Sequence, residues 1–153
     1  MIVRVAGHAM GTRFEIVVDG DDESRSRAAG EAALEEIHNA EQRLSLFRPG
    51  SFLAYINAHA AARAIELDDD MFELLAECLD VHRASNGAFD ITVAPLMRAW
   101  GFHGEVQAGA GPAENAPVGS DAIELDESRR TVRFTREGLA IDLGGVGLSL
   151  IHI

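Results

Sequence analysis

The sequence predicts an α+β fold, an antiparallel sheet with helices packed on one face. Two long stretches carry apolar residues at helical spacing. Short alternating segments divided by turn residues lie towards both ends of the chain. With 153 residues, 47% of them apolar, there is enough material for one domain with a genuine core.

The elements follow in order. "IVRVAGHAMGTRFEIVVDG" alternates at Phe14, Ile16 and Val18 and ends in a Gly-Asp-Asp turn, which predicts one or two strands. From Glu23 to Phe47, the residues Ala33, Ile37, Ala40 and Leu44 recur on one helical face, with Glu and Arg on the other. "RPGS", Arg48 to Ser51, breaks that helix. "SFLAYINAH" reads as a short helix opened by Ser51 as N-cap, and "AIELD" as a strand or edge segment. Asp69 or Asp70 then starts a second long helix with Met71, Leu74, Leu75 and Cys78 on its inner face. The stretch "HGEVQAGAGPAENAPVGSD" has no period and predicts a mobile loop. "AIELDESRRTVRFTREGLAIDLGG" gives three short alternating segments, the pattern of an antiparallel meander.

Thirteen basic residues against 25 acidic ones leave a formal charge of −12, which argues against a nucleic-acid partner. An anionic small molecule would need backbone donors or a metal ion to offset that charge. Cys78 is the only cysteine, so no internal disulfide forms, and its place in a helical apolar pattern predicts a buried, inert thiol. No apolar run reaches the roughly 20 residues of a membrane span, and the N-terminus lacks the apolar region of a signal peptide. The expectation is a cytoplasmic chain, or a periplasmic or cell-envelope one if the N-terminus is incomplete.

The stretch "SNGAFDITVAPLMRAWGF", Ser85 to Phe102, concentrates unusual chemistry. Gly87 falls where a helix end wants a left-handed C′ residue. Pro95 is tolerated only in a first helical turn, which points to Thr92 as the N-cap. Asp90 is then not needed to close that helix. Two readings of it stand: it satisfies loop amides, or it accepts hydrogen bonds from a planar ligand beside Ala88 and Phe89.

"GAFDITVAPL" followed by "WGF" resembles the signature of the ApbE-type FAD:protein FMN transferases. Three further stretches are similar to that family in the same order: "MGTRFEI" at Met10 to Ile16, "RLSLFRPGSFLAYIN" at Arg43 to Asn57, and "AIDLGGVG" at Ala140 to Gly147. The resemblance covers Met10 to Gly147 and implies a truncated T-fold-like domain over residues 1–147.

It also implies an activity: Mg²⁺-dependent transfer of FMN from FAD to a threonine hydroxyl of a target flavoprotein, with release of AMP. By the same resemblance, Met10, Ala88, Phe89 and Asp90 would contact FAD. Phe47 stands where the family usually has a tyrosine, so ring stacking could survive without the hydroxyl. Asp142 would hydrogen-bond the cofactor, and the Gly145 carbonyl would be a hard oxygen ligand for Mg²⁺. The plain alternatives are that Met10 and Phe47 are core residues and Gly144-Gly145 a simple turn. Two other functions stay open, an FAD pyrophosphatase that uses water as acceptor and a non-catalytic flavin-binding or interaction module.

The pattern departs from the family at its end. Leu148 occupies the position of a polar FAD contact, and "LSLIHI", Leu148 to Ile153, resembles a translated sequencing adapter. Those six residues are expected to be non-native. The family's chains run to about twice this length, and the acidic metal ligands and candidate base belong to the other half. The expectation is therefore an N-terminal portion that is inactive alone and binds FAD weakly or not at all.

Overall fold

The computed structural model describes residues 1–9, 12–102 and 115–146. Met10, most of the segment expected to be a mobile loop (103–114) and the stretch expected to be non-native (148–153) lie outside the described residues. The chain divides into two compact units, Met1–Phe52 with Leu143–Ile153, and Leu53–Asp142.

The first unit is built on a hairpin. Strands β1 (Ile2–Ala9) and β2 (Thr12–Asp19) pair antiparallel from Ile2↔Asp19 to Ala9↔Thr12. Alternation assigns one face to Val3, Val5, Ile16 and Val18 and gives the other to Arg4, Arg13, Glu15 and Asp19, with Ile2, Ala6 and Val17 among them. Helix α1 (Glu23–Leu44) opens at Asp22, whose side chain accepts the Arg25 N–H at 2.9 Å. The helix approaches the hairpin closely at two glycines. A Cβ on Gly30 would sit 2.8 Å from Val5 Cγ2, and one on Gly7 2.8 Å from Leu34 Cδ2.

Helix α1 ends three residues before the predicted Phe47. Ser45 is extended at φ −70° and ψ 123°, and Pro49 disfavours helical backbone at the residue before it. The turn that follows is closed by Ser51, whose N–H donates to the Arg48 carbonyl and whose hydroxyl donates to the Ser45 carbonyl at 2.6 Å.

Helix α2 (Phe52–His59) follows Ser51 directly, and from Leu53 onward it belongs to the second unit. Its inner residues Leu53 and Ile56 are fully buried. Strand β3 (Ile65–Glu66) leads to α3 (Asp69–Ala84), capped by Asp68 through the Met71 N–H at 2.9 Å. Met71, Leu74, Leu75 and Cys78 are buried as the spacing predicts. Helix α4 (Ala94–Ala99), a single 3₁₀ turn (Ser120–Ala122), and strands β4 (Ile123–Asp126) and β5 (Thr131–Phe134) complete the unit.

Three expectations need correction. The fold class holds, but the described strands form two antiparallel sheets rather than one. The predicted three-strand meander is also different: β5 lies between β4 and β3, and the third segment, Leu139 to Leu143, is buried without joining a strand ladder. Burial on all sides suits its apolar residues, and its main-chain groups find partners outside a sheet. Finally, Val93 rather than Thr92 is the N-cap of α4, with no side-chain capping bond, and Pro95 falls within the first two helical positions. The Thr92 hydroxyl has other partners.

Candidate functional site

The Ser85–Thr92 turn is organised from its ends. At the close of α3 the Gly87 N–H donates to the His82 carbonyl at 2.9 Å and the Asn86 N–H to the Arg83 carbonyl at 3.2 Å. This is a Schellman arrangement with Asn86 at C′ (φ 52°) and Gly87 one place later (φ 81°), so the left-handed conformation expected of Gly87 begins one residue earlier. The Phe89 N–H donates to Ser85 Oγ at 3.0 Å. His82 Nδ1 lies 2.7 Å from the Phe89 carbonyl, which can only accept, so that nitrogen carries the proton. The same nitrogen is 3.5 Å from Asp90 Oδ2, a looser electrostatic contact beside the shorter hydrogen bond.

Asp90 is the hub. Its Oδ1 accepts the Thr92 N–H at 2.7 Å, the Thr92 hydroxyl, and the Ser120 hydroxyl at 2.8 Å, while Oδ2 accepts the Ser120 N–H at 3.2 Å. Thr92 Oγ1 in turn accepts the Gly119 N–H at 2.7 Å. Thr92 and Ser120 are both buried. Burial alone would disfavour the charge on Asp90, but the hydrogen bonds from Thr92 and Ser120 outweigh it and hold the carboxyl below its ordinary 3.8. Of the two readings of Asp90, these bonds match the one in which it satisfies loop amides. Its carboxylate ties the turn to the loop 30 residues away, and most of its accepting capacity is already used.

Asp142 is brought to the same turn through the backbone. Its N–H donates to the Ile91 carbonyl at 2.7 Å, one residue from Asp90. The preceding residue, Ile141, is held by Asn57: Nδ2 donates to its carbonyl at 2.9 Å, and Oδ1 accepts its N–H at 2.8 Å. Ala88, Phe89, Asp90 and Asp142 thus share one neighbourhood of the second unit.

Phe47 and Gly145 belong to the first unit. Phe47 is 66% exposed, which removes the reading of it as a core residue, and its N–H donates to Ser45 Oγ. Gly145 is exposed, with open space where a Cβ would project, as accessible backbone requires. In the same unit an open hollow is lined by Asn39, Gln42, Arg43, Arg48, Ser51 and Phe52. Sequence reasoning missed His82 and Ser120. His82 carries a faint signal, seven residues before Phe89 in the last turn of a helix; Ser120 carries none.

Comparison with known proteins supplies the family. Residues 10–151 match the model of the ApbE family, a match that passes Leu148 without marking a boundary there. The chain is similar to the FAD:protein FMN transferase of Haemophilus influenzae, 25% identical over 144 residues, covering 88% of this chain and 42% of that one. The FAD:protein FMN transferase of Klebsiella pneumoniae is 28% identical, covering 92% of this chain and 43% of its own. Among solved structures, the ApbE protein of Thermotoga maritima superposes with a TM-score of 0.86 at 25% identity, over 99% of this chain and 50% of that one. The flavin transferase ApbE of Vibrio cholerae shares the fold, with a TM-score of 0.77 at 24% identity over 99% of this chain and 52% of its own. The chain spans about half the length of the relatives it matches. With most of its residues inside the family match, the chain belongs to the ApbE family.

Proposed function

We propose that this chain supplies the flavin-holding part of an FAD:protein FMN transferase. The reaction would join a threonine oxygen of a target flavoprotein to the FMN phosphorus of FAD. The bond from that phosphorus to the bridging diphosphate oxygen breaks, AMP leaves, and the hydroxyl proton passes to a base. The observation that carries this reading is the turn built around Asp90, where the Asp142 N–H meets the carbonyl of Ile91, directly after the Ala88–Phe89–Asp90 segment that resembles the family's FAD contact. The relatives' names support the activity.

In this reading Ala88, Phe89, Asp90 and Asp142 line the flavin. Asp90 acts chiefly by fixing main-chain geometry, and Asp142 supplies a carboxylate to the flavin's N–H groups. Mg²⁺ would offset the charge of the diphosphate, which this acidic chain does not neutralise. The described residues do not make a magnesium site by themselves: among them no group of three His, Cys, Asp or Glu side chains converges. Gly145 would offer one carbonyl oxygen, beside diphosphate oxygens, water and residues outside the described ones. Among the described residues no helix is long and apolar enough to cross a membrane.

The test is titration of FAD into the chain, read by flavin fluorescence, with Asp142→Ala as the control. Weak quenching in the parent, with a higher dissociation constant in the variant, is the expected result. No change up to millimolar FAD would remove the flavin reading for this chain taken alone. Mass spectrometry of a threonine peptide incubated with FAD, Mg²⁺ and the chain separates transfer from binding, since only transfer adds FMN to the peptide.

A further inference from the structure

Ile141 is fully buried in a segment that joins no strand, a placement that would leave its N–H and carbonyl without partners. One side chain takes both. The Asn57 amide donates to the Ile141 carbonyl at 2.9 Å and accepts its N–H at 2.8 Å, standing in for a neighbouring strand across 84 positions of sequence. The next N–H along the chain, that of Asp142, donates to the Ile91 carbonyl at 2.7 Å. These two clamps act on consecutive residues.

Asn57 is half-buried on a helix that is itself held in place. Leu53 and Ile56, on the same helix, are fully buried, as is the Ile141 side chain it holds. Close packing of this kind transmits a displacement rather than absorbing it. We propose that Asn57 is a positioning residue for the flavin site: by fixing the main chain of Ile141 it sets where Asp142 lies against the Phe89–Ile91 turn. This rests on the reading of Asp142 as a flavin contact given above. Asn57 itself need not touch the ligand.

The chain, Asn57→Ala, Asp142→Ala and the double variant would be compared by amide hydrogen exchange and by FAD titration. In Asn57→Ala, exchange at Ile141 and Asp142 is expected to accelerate about tenfold or more, the loss of one or two part-buried hydrogen bonds. The FAD dissociation constant is expected to rise by about tenfold in the parent background. In the Asp142→Ala background the same substitution should change it by less than about twofold, because coupled residues are not additive. An effect on FAD equally large in both backgrounds would show a merely structural role and overturn the proposal, as would unchanged exchange at Asp142. Asn57→Asp covers the case in which Asn57→Ala does not fold. It fills the same volume, but an ionised oxygen faces the Ile141 carbonyl, so the same two changes are expected. If the parent chain binds no FAD, the flavin reading fails for the chain taken alone; exchange at Asp142 still decides whether Asn57 sets that residue's position.

Discussion

Replacing Asp90 with asparagine should destabilise the chain, and the reason lies in which atoms the amide cannot imitate. The asparagine oxygen can still accept from the Thr92 N–H and the Ser120 hydroxyl, as Oδ1 does. The amide nitrogen then replaces Oδ2 and turns two hydrogens towards the Ser120 N–H and the protonated Nδ1 of His82, donors facing donors. Ser120 is 2% exposed, so water does not make good the loss. Losing a charge-assisted hydrogen bond at such a place costs about 1.5–3 kcal/mol. For a chain of this size that corresponds to a fall in Tm of roughly 3–12 °C. The Asp90 carboxyl is held below its ordinary value, so its stabilising contribution is present above the unfolded-state pKa of about 3.9. That contribution is lost as pH falls through the lower folded-state value. Thermal melts of both proteins from pH 7 to pH 3 should therefore show a constant gap down to about pH 4 that narrows below it. An unchanged Tm, together with a large loss of FAD affinity, would refute the reasoning and restore Asp90 as a ligand group rather than a brace.

Gly101→Ala should lower stability by about 1–2 kcal/mol, the cost of a left-handed backbone for a residue with a Cβ, because Gly101 sits at φ 80°. A thermal melt followed by the fluorescence of the adjacent Trp100 would check it. Cys78 is buried, and that burial, with a contribution from the Glu77 charge, pushes its thiol up to about 11. A thiol reagent at pH 8 should leave the folded chain unlabelled and modify it on denaturation; fast labelling of the native protein would contradict the buried assignment.

How much of this was legible in the sequence depends on the range of the interaction. The buried face of α3 and the inner face of β2 follow from spacing and stand as read, while the caps at Asp22 and Asp68 are short-range features found only in the structure. Thr92 was misassigned because a threonine before an Ala-Pro sequence satisfies the local requirement of an N-cap. In the structure its hydroxyl is claimed by Asp90 and the distant Gly119. The segment from Leu139 to Leu143 has the alternation of a strand, and nothing local reveals that a side chain will take the place of its partner strand. The pairings of Asp90 with Ser120 and of Asn57 with Ile141 span 30 and 84 positions, beyond the reach of any periodicity.

Those long-range pairings also explain why short motifs identified this chain so well. In "GAFDIT" the aspartate and threonine tie the turn to residues 119 and 120; in "WGF" the glycine supplies the left-handed C′ position that closes α4, with the Phe102 N–H reaching the Met97 carbonyl at 2.9 Å. The asparagine that ends "RLSLFRPGSFLAYIN" holds the main chain within "AIDLGG". Each motif therefore specifies a main-chain path that few other residues could hold. A chain with formal charge −12 has particular use for such paths, since oriented backbone N–H groups can meet an anionic ligand where lysine and arginine are scarce. It follows that substitutions at Asp90, Thr92 and Asn57 should act on ligand affinity through geometry. Their effects should grow with the distortion of the turn rather than with the charge removed.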